Sequence, residues 1–193
     1  MLRPVQTAAP SVKPVSLADM KAQTRVDFAD DDTLLQSMID AAVSYLDGYG
    51  GILGRALVQQ TWRQDFAAFD DVLRLPLGNL IAVSSVQYYD TANALQTASA
   101  SLYGSFTDEA GPYVGLLTGQ SWPSTYSRDD AVQVTWTAGY GANASDVPAA
   151  IRHAIILLAS HWYQNREAVN EGSFSELPLA VQSLLAPHRQ IGF

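Results

Sequence analysis

With no cysteine in the chain, its three histidines, His153, His161 and His188, are the first residues to try for metal or acid–base chemistry. His153 and His161 stand eight positions apart, about 12 Å along a helix at 1.5 Å per residue, which is too far to share one metal. They read as ordinary core or surface histidines. Carboxylates occur as neighbours at Asp70 and Asp71, Asp108 and Glu109, and Asp129 and Asp130, and a glycoside hydrolase uses two acids as proton donor and base. All six lie in polar, loop-like stretches where carboxylates are simply solvated. Gly119-Gln-Ser121-Trp-Pro123 has half of a nucleophile elbow, but Pro123 replaces the second glycine and no strand-turn-helix pattern frames it. Asp30-Asp31-Asp32 lacks the alternating ligands and distal Glu of a calcium loop. Gly48, Gly50, Gly51 and Gly54 follow a helical pattern where a dinucleotide fingerprint must follow a strand, so they read as a helix stop and a turn. These residues assemble no reaction centre, and no catalytic residue, metal or cofactor is expected.

The elements that position them are legible from periodicity. Ser16-Leu-Ala-Asp19 has capping spacing and predicts a short helix from Ser16 to about Thr24. The aspartate triplet precedes a second helix, with Thr33 and Gln36 spaced as a capping box and Leu34, Leu35, Met38, Ile39, Ala42, Tyr45, Leu46 and Tyr49 at helical spacing. From Gln60 to Tyr140 the period becomes two. Trp62, Gln64 and Phe66 alternate with Arg63 and Asp65, Leu73-Arg74-Leu75 continues the habit, Ile81 to Tyr89 is rich in Val and Tyr, and Val132, Val134 and Trp136 face away from Gln133, Thr135 and Thr137. Turn-rich stretches fall at Asp90 to Asn93, Gly104 to Gly111 and Gly119 to Ser127.

The dominant helix is predicted over Val147 to Val169. Ile151, Ile155, Leu158 and Trp162 share a face that Ile156, Leu157 and Ala159 widen until the helix is buried on most sides. Pro148 suits its first turn, Asp146 its dipole, and Gly172 its end. Glu176 to Leu185 reads as a last short helix with Leu177, Val181, Leu184 and Leu185 apolar, stopped by Pro187. The expected fold class is α+β. An N-terminal helix pair (16–50) packs on C-terminal helices (147–185) as a bundle, with a small antiparallel sheet lobe (60–140) inserted in one domain (16–185). Residues 1–15, with Pro4, Pro10 and Pro14, read as an extended arm, and 186–193 as a tail.

Composition narrows the partners. Nineteen acidic against eleven basic side chains give a formal charge of −8 with no basic cluster, which argues against tight nucleic-acid binding. The longest strongly apolar run, Ala154 to Ala159, is far short of the roughly 20 residues of a membrane span. Absence of cysteine fits a reducing compartment. Aromatic residues near turns, Trp122, Tyr126, Tyr140, Trp162 and Tyr163, suit interfaces, with core packing the equal alternative. Ile191 and Phe193 are apolar in a tail that would ordinarily be polar, so they dock either on this core or on a neighbour.

A resemblance rests on an ordered set of segments rather than one motif. These are Ser16-Leu-Ala-Asp-Met-Lys-Ala, Arg25-Val-Asp-Phe-Ala-Asp-Asp-Asp-Thr-Leu-Leu, Tyr45-Leu-Asp-Gly-Tyr, Gln60-Thr-Trp62, Leu73-Arg-Leu-Pro76, Val86-Gln-Tyr-Tyr-Asp90, Trp122-Pro123, Val134-Thr-Trp-Thr-Ala-Gly-Tyr-Gly141, Val147-Pro-Ala-Ala-Ile151, His161-Trp-Tyr-Gln-Asn-Arg-Glu167 and Leu177-Pro-Leu-Ala-Val. In that order they resemble the head-to-tail connector (adaptor) family of long-tailed bacteriophages and gene transfer agents. The resemblance implies a non-enzymatic ring of about twelve copies. The ring would sit beneath the portal protein, join it to the stopper or tail-completion protein, and leave a channel through which DNA passes without sequence-specific binding. It implies a place in the neck of a virion or virus-like particle assembled in the bacterial cytoplasm, with no membrane partner. The tail residues His188, Arg189, Gln190, Ile191, Gly192 and Phe193 are then the expected portal contacts, and Trp122, Tyr126, Tyr163 and Arg166 the expected contacts between subunits. The alternatives are a small carbohydrate-active hydrolase using the loop carboxylates and a monomeric binding module.

Overall fold

The computed structural model describes residues 1–165 and 179–190. Helix α1 (Leu17–Thr24) starts where predicted: the Ser16 hydroxyl accepts from the Asp19 N–H at 3.1 Å, and the Asp19 carboxylate accepts from the Ser16 N–H at 3.1 Å. Helix α2 (Asp32–Leu46) buries Leu35, Ile39, Ala42 and Leu46, one stripe at helical spacing. Its expected box at Thr33 and Gln36 does not form. The helix starts earlier, and its carboxylates serve packing instead: Asp32 takes an ion pair from Lys21 at 2.5 Å, tying α2 to α1.

Helix α3 (Ala149–Gln164) buries Ile151, Ala154, Ile155, Leu158 and Ala159. Ile156, Leu157 and Trp162 are only half-buried and His153 is exposed, so the helix is less enclosed than its composition predicts. Pro148 caps it from outside the first turn, and Asp146 closes a 3₁₀ turn (Ala144–Asp146) by accepting from the Asn143 N–H at 2.8 Å rather than serving the α3 dipole. The expected run of this helix past Asn165 to Gly172, and the start of the last helix at Glu176 to Pro178, lie outside the described residues. Helix α4 (Leu179–Leu185) buries Val181 and Leu185 and passes into a 3₁₀ turn (Ala186–His188) that contains Pro187.

The one small sheet expected over 60–140 is corrected to two. Strands β1 (Val5–Ala8), β2 (Gln60–Phe66), β3 (Val72–Arg74), β4 (Leu80–Tyr89), β5 (Leu95–Thr97), β6 (Tyr103–Asp108), β7 (Gly111–Leu116) and β8 (Val132–Ala138) form a five-stranded sheet, β1-β2-β8-β4-β5, and a three-stranded one, β3-β7-β6. Every pairing between these strands is antiparallel. Gly104 to Gly111, predicted as turn, is mostly strand β6. Its small and polar residues carry little β signal, and pairing with β7 over six positions, from Tyr103 opposite Leu116 to Asp108 opposite Gly111, decides the conformation. Residues 5–8, read as part of an extended arm, lie along the edge of β2.

Two cores result. In one, Met20, Leu35, Ile39, Leu46, Ile151, Ile155, Leu158, Val181 and Leu185 from all four helices pack with Leu53, Leu57 and Val58 of the following loop. In the other, Trp62, Phe66, Leu73, Leu75, Leu77, Val114, Val134 and Trp136 fill the space between the sheets. This is a mixed helix and sheet fold with four α-helices among the described residues.

Candidate assembly surfaces

The loop from Asp47 to Gln59 is the seam between the cores, and its polar groups are satisfied across it. Asp47 ends α2, and its carboxylate accepts from the Leu57 N–H at 2.7 Å and from Gln60 Nε2 at 3.0 Å. Burial raises the Asp47 pKa above the ordinary carboxylate value, with these hydrogen bonds opposing it. Gln60, buried on β2, accepts from Trp62 Nε1 at 3.2 Å and from the Gln6 carboxamide of β1. One polar chain thus connects helix, sheet and N-terminal strand. Nothing in the composition announced it; the signal was the buried register of Gln60 and Gln64, which share the inward face with Trp62 and Phe66.

The carboxylates considered for acid–base work do not converge. Asp108 is held by both guanidinium nitrogens of Arg74 and Asp130 by Arg128, and each of these acids has its pKa lowered first by that hydrogen bond. Arg128 also lies 3.6 Å from the Tyr89 ring centroid, a cation–π contact on the sheet surface. Asp70 bonds the Asp71 N–H at 2.8 Å, and Ser121 sits in an exposed loop with no helix behind it.

The residues expected at subunit contacts separate into two groups. Trp122 stacks on Phe69 with ring centroids 4.3 Å apart and donates from Nε1 to the Asp70 carbonyl at 3.1 Å, so much of its area is used within the chain. Tyr126 is exposed at 44%, its N–H bonded to the Tyr89 carbonyl at 2.9 Å. Tyr163 belongs to the helical side, half-buried, its hydroxyl donating to Asp31 at the start of α2. Arg166 lies outside the described residues.

Of the expected portal contacts, Ile191, Gly192 and Phe193 also lie outside the described residues, and His188 and Gln190 dock on this chain. The His188 carbonyl accepts from Arg55 Nε at 2.9 Å, and the Gln190 N–H donates to the Leu53 carbonyl at 2.9 Å. Arg189 is exposed between them. Arg55, Leu53 and Gly78, the partners on the other side, were not singled out from sequence. The glycines at 48–54 read from sequence only as a helix stop and a turn.

A family model described as phage gp6-like head-tail connector protein matches residues 14–108 and 102–189. Comparison with curated proteins gives no match. Among solved structures, a chain from the virion of a native gene transfer agent particle is similar at 23% identity, TM-score 0.79, over 100% of this chain and 97% of that one. A chain from the neck of an empty particle, computed with C6 symmetry, gives 23% identity and TM-score 0.78 over the same shares. One from the neck of a native particle, computed with C12 symmetry, gives 20% and 0.71, again over 100% of this chain and 97% of that one.

Proposed function

The chain belongs to the phage gp6-like head-tail connector family, whose role is structural, and from that premise we propose that it forms a ring in the neck of a phage-like particle. The observation that carries this is the family match, which covers residues 14 to 189 in two overlapping stretches. The shared fold with chains from gene transfer agent necks, whose structures were computed with C6 and with C12 symmetry, supports a ring of about twelve copies. In this reading the ring lies beneath the portal, carries the stopper or tail-completion protein, and works by contact with no reaction step. Assembly takes place in the bacterial cytoplasm.

Trp122, Tyr126, Tyr163 and Arg166 are proposed for the contacts between copies. Tyr126 is the most available of those described, and Trp122 contributes only its open edge. The C-terminal stretch from His188 to Phe193 is proposed to reach the portal. At −8 per chain such a ring carries on the order of −100 formal charges. Acids facing the channel would let DNA slide rather than adhere, and DNA passage that ignores added salt would count against this.

The test is mass determination of the purified chain with and without the portal ring of the same particle. Wild type is expected to co-assemble. A chain lacking Ile191 to Phe193 is expected to fold, with the same far-UV circular dichroism, and fail to join. Unchanged attachment of the shortened chain would remove the tail from the interface.

A further inference from the structure

The base of the C-terminal tail is held from two sides by groups far away in sequence. Arg55 Nε donates to the His188 carbonyl at 2.9 Å, and the Leu53 carbonyl accepts the Gln190 N–H at 2.9 Å, so the contacts bracket Arg189. Two glycines make room for them. Gly54 has a φ of +62°, and a side chain there would come within 3.4 Å of Gln190 Cβ. Gly78 is buried, and a methyl on it would overlap Gln190 Oε1 and lie 2.8 Å from the Arg55 guanidinium.

Arg55 itself is half-buried, and no carboxylate is paired with it among the described residues. Its guanidinium, like that of Arg152, is used on a backbone carbonyl. Its position comes from the backbone: the Arg55 carbonyl accepts the Gly48 N–H at 2.8 Å, and the residue forms isolated bridges with both Asp47 and Gly78. It therefore stands where the end of α2, the sheet side and the tail meet.

We propose that Leu53, Arg55 and Gly78 form a clamp that fixes where and in what direction the chain leaves the body after Gln190, with Arg55 the positioning residue for portal attachment. This rests on the connector reading. A tail loose from Leu185 onward would lose the entropy of ordering on every docking event, and one held to Gln190 has lost that entropy already. His188 and Gln190 are then the tail's root, and their backbone groups act on the chain's own loop rather than on the portal.

The experiment uses the full chain, with Arg55→Ala, Gly78→Ala and Arg55→Lys variants, read by amide exchange at Gln190 and by co-sedimentation with the portal ring. In wild type the Gln190 amide is expected to be protected. Losing a charge-assisted bond in Arg55→Ala should speed exchange there and weaken attachment by about tenfold, with α3 amides unchanged. Gly78→Ala, which displaces only the flexible ends of Gln190 and Arg55, should have a smaller effect in the same direction. Lysine keeps the charge without the Nε fork and should fall between. Free exchange at Gln190 in wild type would overturn the clamp. Full attachment by variants with a released Gln190 would overturn the positioning role alone. Failure of wild type itself to attach would overturn the connector reading and the role with it.

Discussion

The helical and sheet halves of this chain hold together by different means. The helical core is apolar nearly throughout, and its cap, ion pair and tyrosine hydrogen bond lie at its rim: Ser16 with Asp19, Lys21 with Asp32, Tyr163 with Asp31. The sheet core carries polar groups inside it, with Gln60 and Gln64 buried on β2 and the Trp136 indole N–H buried without a partner among the described residues. A stripe of aliphatics tolerates small shifts along a helix axis. A strand whose inward face includes carboxamides does not, because each must meet its acceptor in one register.

The largest expected effect tests whether the halves unfold as one. Trp136→Ala, in the centre of the sheet core, should cost about 4 kcal/mol, against about 3 for Ile39→Ala in the helical core. Tryptophan fluorescence and far-UV circular dichroism should follow one denaturant transition in both variants. Two separated transitions would show the seam to be a linker rather than a joint.

The next effect asks how tight that joint is. Gly139 leaves β8 with a φ of +143°, and a side chain there would stand 2.6 Å from the Gln59 nitrogen and 2.7 Å from the Val58 carbonyl carbon, both backbone. Gly139→Ala should cost about 3 kcal/mol in thermal or denaturant melts. Gly119, with a φ of +81° but open space around it, is the control, and its alanine variant should cost about 1 kcal/mol.

Smaller and of a different kind is the response to pH. Asp47 is raised by burial, so the folded chain holds its proton more tightly than the unfolded chain does. Its contribution is complete below the ordinary value of 3.8 and is lost as pH rises through the raised value. Asp108 and Asp130, lowered by their arginines, act oppositely, and their contribution is lost as pH falls through the lowered values. The stability of wild type minus that of Asp47→Asn should therefore fall with rising pH across the upper window. A difference that rises there would mean that the hydrogen bonds outweigh burial. Least of all, Ser16→Ala should cost about 1 kcal/mol by removing the α1 cap, with no effect on the sheet half.

Legibility divides along the same line. The helices could be read because their reasons are local: the Ser16 box, the stripe from Leu35 to Leu46, the apolar run of α3. The exceptions were polar residues with two uses, as when Thr33 and Gln36 matched a capping box in a helix that starts ahead of them, at Asp32. In the sheet half β2 and β8 showed their alternation and β4 its Val and Tyr content, but β6 showed neither, since its conformation is set by a partner strand and not by its own residues. The tail contacts were the least visible. A backbone carbonyl meeting an arginine 133 positions away leaves no pattern in either segment.

Strand β1 lies ahead of the stretch matched by the family model, which begins at residue 14, and all four of its residues are exposed. Its contribution is to cover. It occupies the outer row of N–H and C=O groups on β2, a row that an uncovered strand would offer to any other chain. A version trimmed to the matched stretch would keep the apolar residues of both cores but move the open margin onto β2, whose buried Gln60 and Gln64 would lose partners. Yield and melting point would both register the missing residues, since Gln6 and Leu2 are hydrogen-bond partners of the buried Gln60 and Gln64.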